Sequence, residues 1–97
     1  MAESGDPEAE NSLGLLYYDG IGVEMNYEKA FKLFSSAAKK GNIHAQFLLG
    51  CMYNIGAFVL EDEKMAIYWW EKAARQNFVP AYVSMAALFA GSSKVWD

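Results

Sequence analysis

The chain is poor in several features that would direct it to a familiar chemistry. Of its 97 residues, one is cysteine, one is histidine and two are proline. The lone thiol, Cys51, cannot form an intramolecular disulfide, and a reducing, cytoplasmic setting is the simplest expectation. Cys51 and His44 are the whole supply of soft metal ligands, too few for a zinc site within one chain. On a helix they stand about 10.5 Å apart, beyond the hydrogen-bond reach that a nucleophile and its base require. A phosphate-cradling Gly-x-x-x-x-Gly-Lys loop is missing as well. An excess of basic residues is also lacking: 8 Lys and Arg against 12 Asp and Glu leave a net charge of −4, which offers phosphate backbones no general attraction. No run is long and apolar enough to cross a bilayer, and the opening MAESGDPEAE is too acidic and polar for a targeting leader. The expectations that follow are no catalytic residue, no metal, no cofactor, no nucleic acid and no membrane partner.

What is abundant is apolar surface, 54% of the residues, and it is periodic. AFKLFSSAAKKG at 30–41 returns as AIYWWEKAARQN at 66–77, a spacing of 36 residues without gaps. The register holds along the chain. Ala9, Ala45 and Ala81 align, as do Leu13, Leu49 and Met85, then Gly14, Gly50 and Ala86, then Tyr17, Tyr53 and Phe89. Gly20 pairs with Gly56, Ala30 with Ala66, Phe34 with Trp70, and Ala37 and Ala38 with Ala73 and Ala74. Even Ala2 and Gly5 fall where Ala38 and Gly41 fall one period later. Repeat 1 spans about 9–44, repeat 2 about 45–80, and a partial third about 81–97, all in a single domain.

Within each period the apolar steps are helical, and no strand alternation competes. Asp6 and Asn42 stand at N-cap positions, with Pro7 at the first helical site where a missing N–H costs nothing. Gly20 and Gly56 can close the first helix of each unit in a left-handed conformation. Asn26 and Asp62 cap the second, which ends at Lys39, Lys40 and Gly41 in the first copy. The spacing predicts helices over 7–18, 27–40, 43–54, 63–76 and 79–90. Ala37, Ala38, Ala73 and Ala74 permit close helix approach. Tyr17, Phe34, Tyr53 and Trp70 fill the space between helix pairs as core and not as a cofactor pocket. The acidic cluster Glu61, Asp62, Glu63 reads as a solvated helix start.

The pattern Ala-x-x-x-Leu-Gly-x-x-Tyr-x-x-Gly-x-Gly-Val is carried by Ala9, Leu13, Gly14, Tyr17, Gly20, Gly22 and Val23. It is followed by Lys29, Ala30, Phe34, Ala37, Ala38 and Gly41, and together the two resemble the Sel-like repeat, a tetratricopeptide-related unit. The resemblance implies an all-α fold, a right-handed α-α superhelix or solenoid of about two and a half 36-residue helix-turn-helix repeats. It also implies an adaptor or scaffold that binds a protein or peptide partner, without a conserved active site. A structural or self-assembling unit, or a fragment of a longer array, is the alternative.

In related arrays the first helix of each repeat lines a concave surface. The candidate partner-binding residues are therefore first-helix positions outside the repeated core: Asn11, Leu15, Tyr18, Phe47, Cys51, Asn54, Val83 and Ala87. Phe47 and Asn54 are expected to face the groove rather than the core. Phe58 departs from the pattern, standing where Gly22 stands, and its loop is expected to reach the hairpin by another backbone route. Asn77 replaces the closing glycine, a mild change because asparagine tolerates the left-handed conformation. The third copy stops after the nearly apolar helix AYVSMAALFA, so Tyr82, Val83 and Leu88 are expected to lack cover unless Trp96 folds back. A weak homodimer through this C-terminal helix is the expected consequence.

Overall fold

Each of the four capping signals read from the sequence is used. The computed structural model describes residues 5–93, with side chains through Gly91. Its helices are α1 (Pro7–Asp19), α2 (Tyr27–Lys39), α3 (Ile43–Ile55), α4 (Glu63–Ala74) and α5 (Val79–Ser93), and no strand occurs among the described residues. The Glu8 N–H donates to Asp6 Oδ1 at 3.1 Å, Lys29 to Asn26 at 3.0 Å, Ala45 to Asn42 at 2.8 Å and Met65 to Asp62 at 3.2 Å. Each cap satisfies an N–H that has no partner within its helix. Asp62 thereby confirms the acidic cluster as a helix start. Gly20 and Gly56 end α1 and α3 in the left-handed region, at φ 70° and 74°. Gly5 and Gly41, one period apart, are also left-handed; Ala2 lies outside the described residues.

Two boundaries differ from expectation by more than one residue. α4 stops at Ala74 because residues 75–77 turn out of the helix and Asn77 takes φ 66°. α5 runs on through Gly91 to Ser93. Phe58 corrects a further expectation: it keeps the backbone route of its glycine counterpart, at φ 69° against 75° for Gly22. Its ring is 52% exposed and leans on Phe31, 5.6 Å between centroids. A bulky residue in this region is strained, and the Phe31 contact offsets part of that cost.

Helices pack chiefly on their chain neighbours, α1 on α2, α2 on α3, α3 on α4 and α4 on α5. Ala30, Ala37, Ala45, Ala66, Ala73 and Ala81 are all completely buried, and the small side chains let the helix axes close. One apolar cluster joins Phe34, Leu49, Met52 and Trp69 around the alanines of α2 and α3. A second joins Trp70 to Ala66, Ala73, Ala74 and Ala81, with Tyr53 touching both. Gly14 and Gly50 are required for a different reason from the turn glycines. A Cβ on Gly14 would lie 2.7 Å from Phe34 Cε1, and one on Gly50 would lie 2.6 Å from Trp70 Cδ1. The ring of each second helix thus seats on the bare backbone of its first helix.

A polar counterpart of this ring contact joins the same elements, and sequence periodicity alone did not single it out. Buried Glu10 accepts from Ser36 Oγ at 2.9 Å and pairs with Lys40 Nζ at 3.2 Å, while Lys40 also donates to the Gly5 carbonyl at 2.9 Å. One period on, Gln76 Nε2 donates to Gln46 Oε1 at 3.0 Å and reaches the Gly41 carbonyl at 3.5 Å. Buried Gln46 in turn donates to the Ala38 carbonyl at 3.2 Å. The same three register positions are ionic in one repeat and amide in the next.

Candidate functional site: the faces of the first helices

α1, α3 and α5 are the first helices of their repeats, and two grooves run between them. The first, about 440 Å³, is lined by Asn11, Leu15, His44, Phe47, Leu48 and Phe78. The second, about 370 Å³, is lined by Cys51, Asn54, Ile55, Trp70, Ser84, Ala87 and Leu88. Of the residues singled out from sequence, Asn11, Leu15 and Phe47 meet in the first groove, and Cys51, Asn54 and Ala87 meet in the second. Tyr18 and Val83 line neither. Tyr18 is half-buried with its ring 5.2 Å from Tyr27 and 6.3 Å from Phe34, whereas Val83 is 61% exposed on α5.

The side chains in these grooves are not equally free. Phe47 is half-buried, packs against the Trp70 cluster and sits 5.4 Å from the Phe78 ring. Its carbonyl also accepts from Trp70 Nε1 at 3.1 Å. The expectation that Phe47 faces the groove and not the core is therefore corrected: one side of the ring lines the groove and the other holds the junction of α3 with α4 and α5. Asn11 is buried, and its Oδ1 has no hydrogen-bond partner. His44 sets its ring against Phe78 at 5.1 Å, edge to face, which accounts for it as a packing group at the rim. Burial pushes the Cys51 thiol above its ordinary pKa of 9.0, the opposite of what an activated nucleophile needs. Burial, and then the neighbouring Tyr27, push the Tyr18 hydroxyl up in the same way. No group of three or more His, Cys, Asp or Glu that could hold a metal occurs among the described residues. No helix among them is long and apolar enough to cross a membrane.

Two consecutive copies of the Sel1 repeat match the chain, at residues 7–42 and 43–78. The chain belongs to the Sel1 repeat family. Human "Protein sel-1 homolog 2" is 37% identical over 74 residues, covering 76% of this chain and 11% of that protein. Among solved structures, a Sel1 repeat protein from Oxalobacter formigenes is 37% identical with a TM-score of 0.86, covering 92% of this chain and 37% of that one. A protective antigen of uropathogenic Escherichia coli strains, displaying an SLR fold, is 32% identical with a TM-score of 0.90, covering 94% of this chain and 20% of that one. The chain thus spans a small part of each. The fold is the helical solenoid of Sel1 repeats, a family whose members are generally protein-interaction modules and typically non-catalytic scaffolds.

Proposed function

We propose that this Sel1 repeat chain is an adaptor or scaffold module that engages a protein or peptide partner along the face formed by α1, α3 and α5, without catalysing a reaction. The observation that carries the reading is the convergence of Asn11, Leu15 and Phe47 in one groove and of Cys51, Asn54 and Ala87 in the next. These are positions that the repeated core leaves variable, on helices that present successive surfaces of one stack. No Asp, Glu, Lys or Arg side chain lines either groove, so the grooves suit a partner surface that is apolar and uncharged where it sits. The cytoplasm is the proposed setting, on the single half-buried thiol.

The test is a capture experiment from the native host, comparing the wild-type chain with Asn54→Lys combined with Ala87→Arg. Both positions line the groove without belonging to either buried cluster. Capture should fall at least about tenfold with the melting temperature nearly unchanged, while Lys32→Glu on the exposed side of α2 leaves capture intact. Equal capture by both chains would move the partner off this face.

A second reading, self-association, is favoured by α5, whose Val79, Tyr82, Val83 and Phe89 are each more than half exposed. The sequence placed Leu88 with them, but the structure turns Leu88 inward against the Trp70 cluster. Trp96, the suggested cover, lies outside the described residues.

A further inference from the structure

Where the first repeat turns from α1 to α2 through Gly22, the second turns from α3 to α4 through Phe58, on the same backbone, φ 75° against 69°. Glycine takes that conformation freely, whereas a residue with a Cβ is strained in it. The Phe31 contact covers only part of the phenyl ring, and 52% of Phe58 stays in solvent. Packing alone therefore does not explain why the ring is there, and strain of this kind gathers where a side chain is held out for use. Its neighbours are held out too. Leu60 is 91% exposed and Ile55 58%, while Ile21 and Met25 at the preceding turn are each 57% exposed. Successive turns of a stacked repeat lie side by side. Outside α5, this edge thus carries most of the exposed large apolar side chains among the described residues.

The same edge is acidic. Residues 19–29 and 55–64 hold six carboxylates and two lysines, an excess equal to the net charge of −4 of the whole chain. Asp62 is engaged as a cap, and Glu28 pairs with Lys32. Asp19, Glu24, Glu61 and Glu63 are exposed and make no salt bridge among the described residues. We propose that this hairpin edge is a second interaction surface, and that it receives a basic amphipathic helix of a partner protein. The apolar stripe of that helix would lie across the two turns, and its Lys or Arg side chains would meet Glu24, Glu61 and Glu63. Carboxylates fringing an apolar centre favour a partner of opposite charge and reject an acidic one. The same charge disfavours the anionic surface of a membrane. Neighbouring hairpins stand about 8–10 Å apart, a span that two turns of helix, about 11 Å, can cover. This edge lies apart from the first-helix grooves, which neither Phe58 nor Leu60 lines.

The probe is a leucine–lysine peptide patterned as an amphipathic helix, titrated against the wild-type chain beside a leucine–glutamate peptide of the same pattern. The basic peptide should bind, more weakly as salt rises from about 0.01 M to about 0.15 M, and the acidic one should not. Leu60→Gln should lower the affinity about tenfold with the melting temperature nearly unchanged, since so exposed a side chain contributes little to folding. Phe58→Gly, which installs the residue of the first repeat, should produce a similar loss of binding. Relief of strain there offsets the lost ring contact, so the melting temperature should fall by no more than about 4 °C. Glu24→Gln with Glu61→Gln should weaken binding and flatten its salt dependence. A large fall in melting temperature with Phe58→Gly, the peptide still binding to Leu60→Gln as to wild type, would make Phe58 a packing residue and overturn the proposal. Absence of binding by the basic peptide, equal binding by the acidic one, or retention on anionic phospholipid vesicles in its place would overturn it as well. None of these outcomes bears on the capture test of the grooves, so either reading can fail without the other.

Discussion

Gly50 and Gly91 are both helical, yet they hold opposite places in the physics of this chain. A methyl group on Gly50 would come within 2.7 Å of Trp70 Nε1 and 3.0 Å of the Ala66 carbonyl. The second neighbour is backbone and cannot swing aside. Gly91 has nothing within 4 Å of where its Cβ would stand. Gly50→Ala should therefore destabilise by at least about 1–3 kcal/mol through overpacking, and Gly91→Ala should stabilise by up to about 1 kcal/mol through helix propensity. Thermal unfolding of the two variants checks both signs at once; a loss in both would mean that propensity and packing have been wrongly apportioned. At the same scale, Asn77 and Phe58 share a left-handed backbone but differ in what relieves it. Asparagine tolerates the conformation through its short polar side chain, whereas Phe58 has only its contact with Phe31. A second orphan, Trp69 Nε1, is buried without a partner, and nothing in the fold accounts for it.

The helices were legible in sequence because each carries its own start and stop signals, which act locally and repeat at a fixed spacing. Asp6, Asn26, Asn42 and Asp62 cap in the structure as the register places them. The interaction face was legible in part, because a helical wheel tells which residues share a side but not how far the neighbouring helix covers it. Phe47 shows the difference, since its burial depends on Phe78 and Trp70, which lie far along the chain. The polar contacts between elements were legible only as aligned letters. Glu10 and Lys40 align with Gln46 and Gln76, but that they touch is a matter of packing. This alignment gives a prediction at the scale of the hairpin. Lys40→Gln alone leaves the buried Glu10 carboxylate with Ser36 as its remaining partner, and should cost about 1–2 kcal/mol, the partial exposure of Lys40 limiting the loss. Adding Glu10→Gln copies the amide version already present one repeat on, and should bring stability back to within about 1 kcal/mol of wild type. Non-recovery in chemical denaturation would show that the two junctions are not interchangeable.

At the scale of the whole molecule, α5 is a first helix, and no paired second helix of the kind that α2 and α4 supply to their own repeats occurs among the described residues. Its Tyr82 stands at the register position of Glu10 and Gln46, and Ala86 at that of Gly14 and Gly50. Because Ala86 carries a Cβ, a covering element cannot seat a phenyl or indole ring there as Phe34 and Trp70 are seated. A second copy of α5, which brings alanine to the same crossing, fits this requirement. Light scattering over a concentration series should show the mass rising toward a dimer, and Phe89→Glu should hold it at the monomer value. Leu88→Glu is a poorer choice, since Leu88 packs against the Trp70 cluster and its substitution would disturb folding as well as association. A constant monomer mass up to high micromolar concentration would dismiss self-association.

Packing chiefly between chain neighbours, in an elongated body of 49 × 27 × 18 Å, also sets how the molecule comes apart. Each helix docks on segments close to it in sequence, so little loop entropy separates contact from contact, and formation belongs to the microsecond-to-millisecond range of local topologies. Opening likewise proceeds from an end and need not be concerted. The ionic tie at Lys40 loosens as salt screens it and the amide tie at Gln76 does not. Amide-hydrogen exchange at α1 should therefore accelerate with ionic strength while exchange at α3 holds steady, so that dissolved salt sets how readily the α1 end frays.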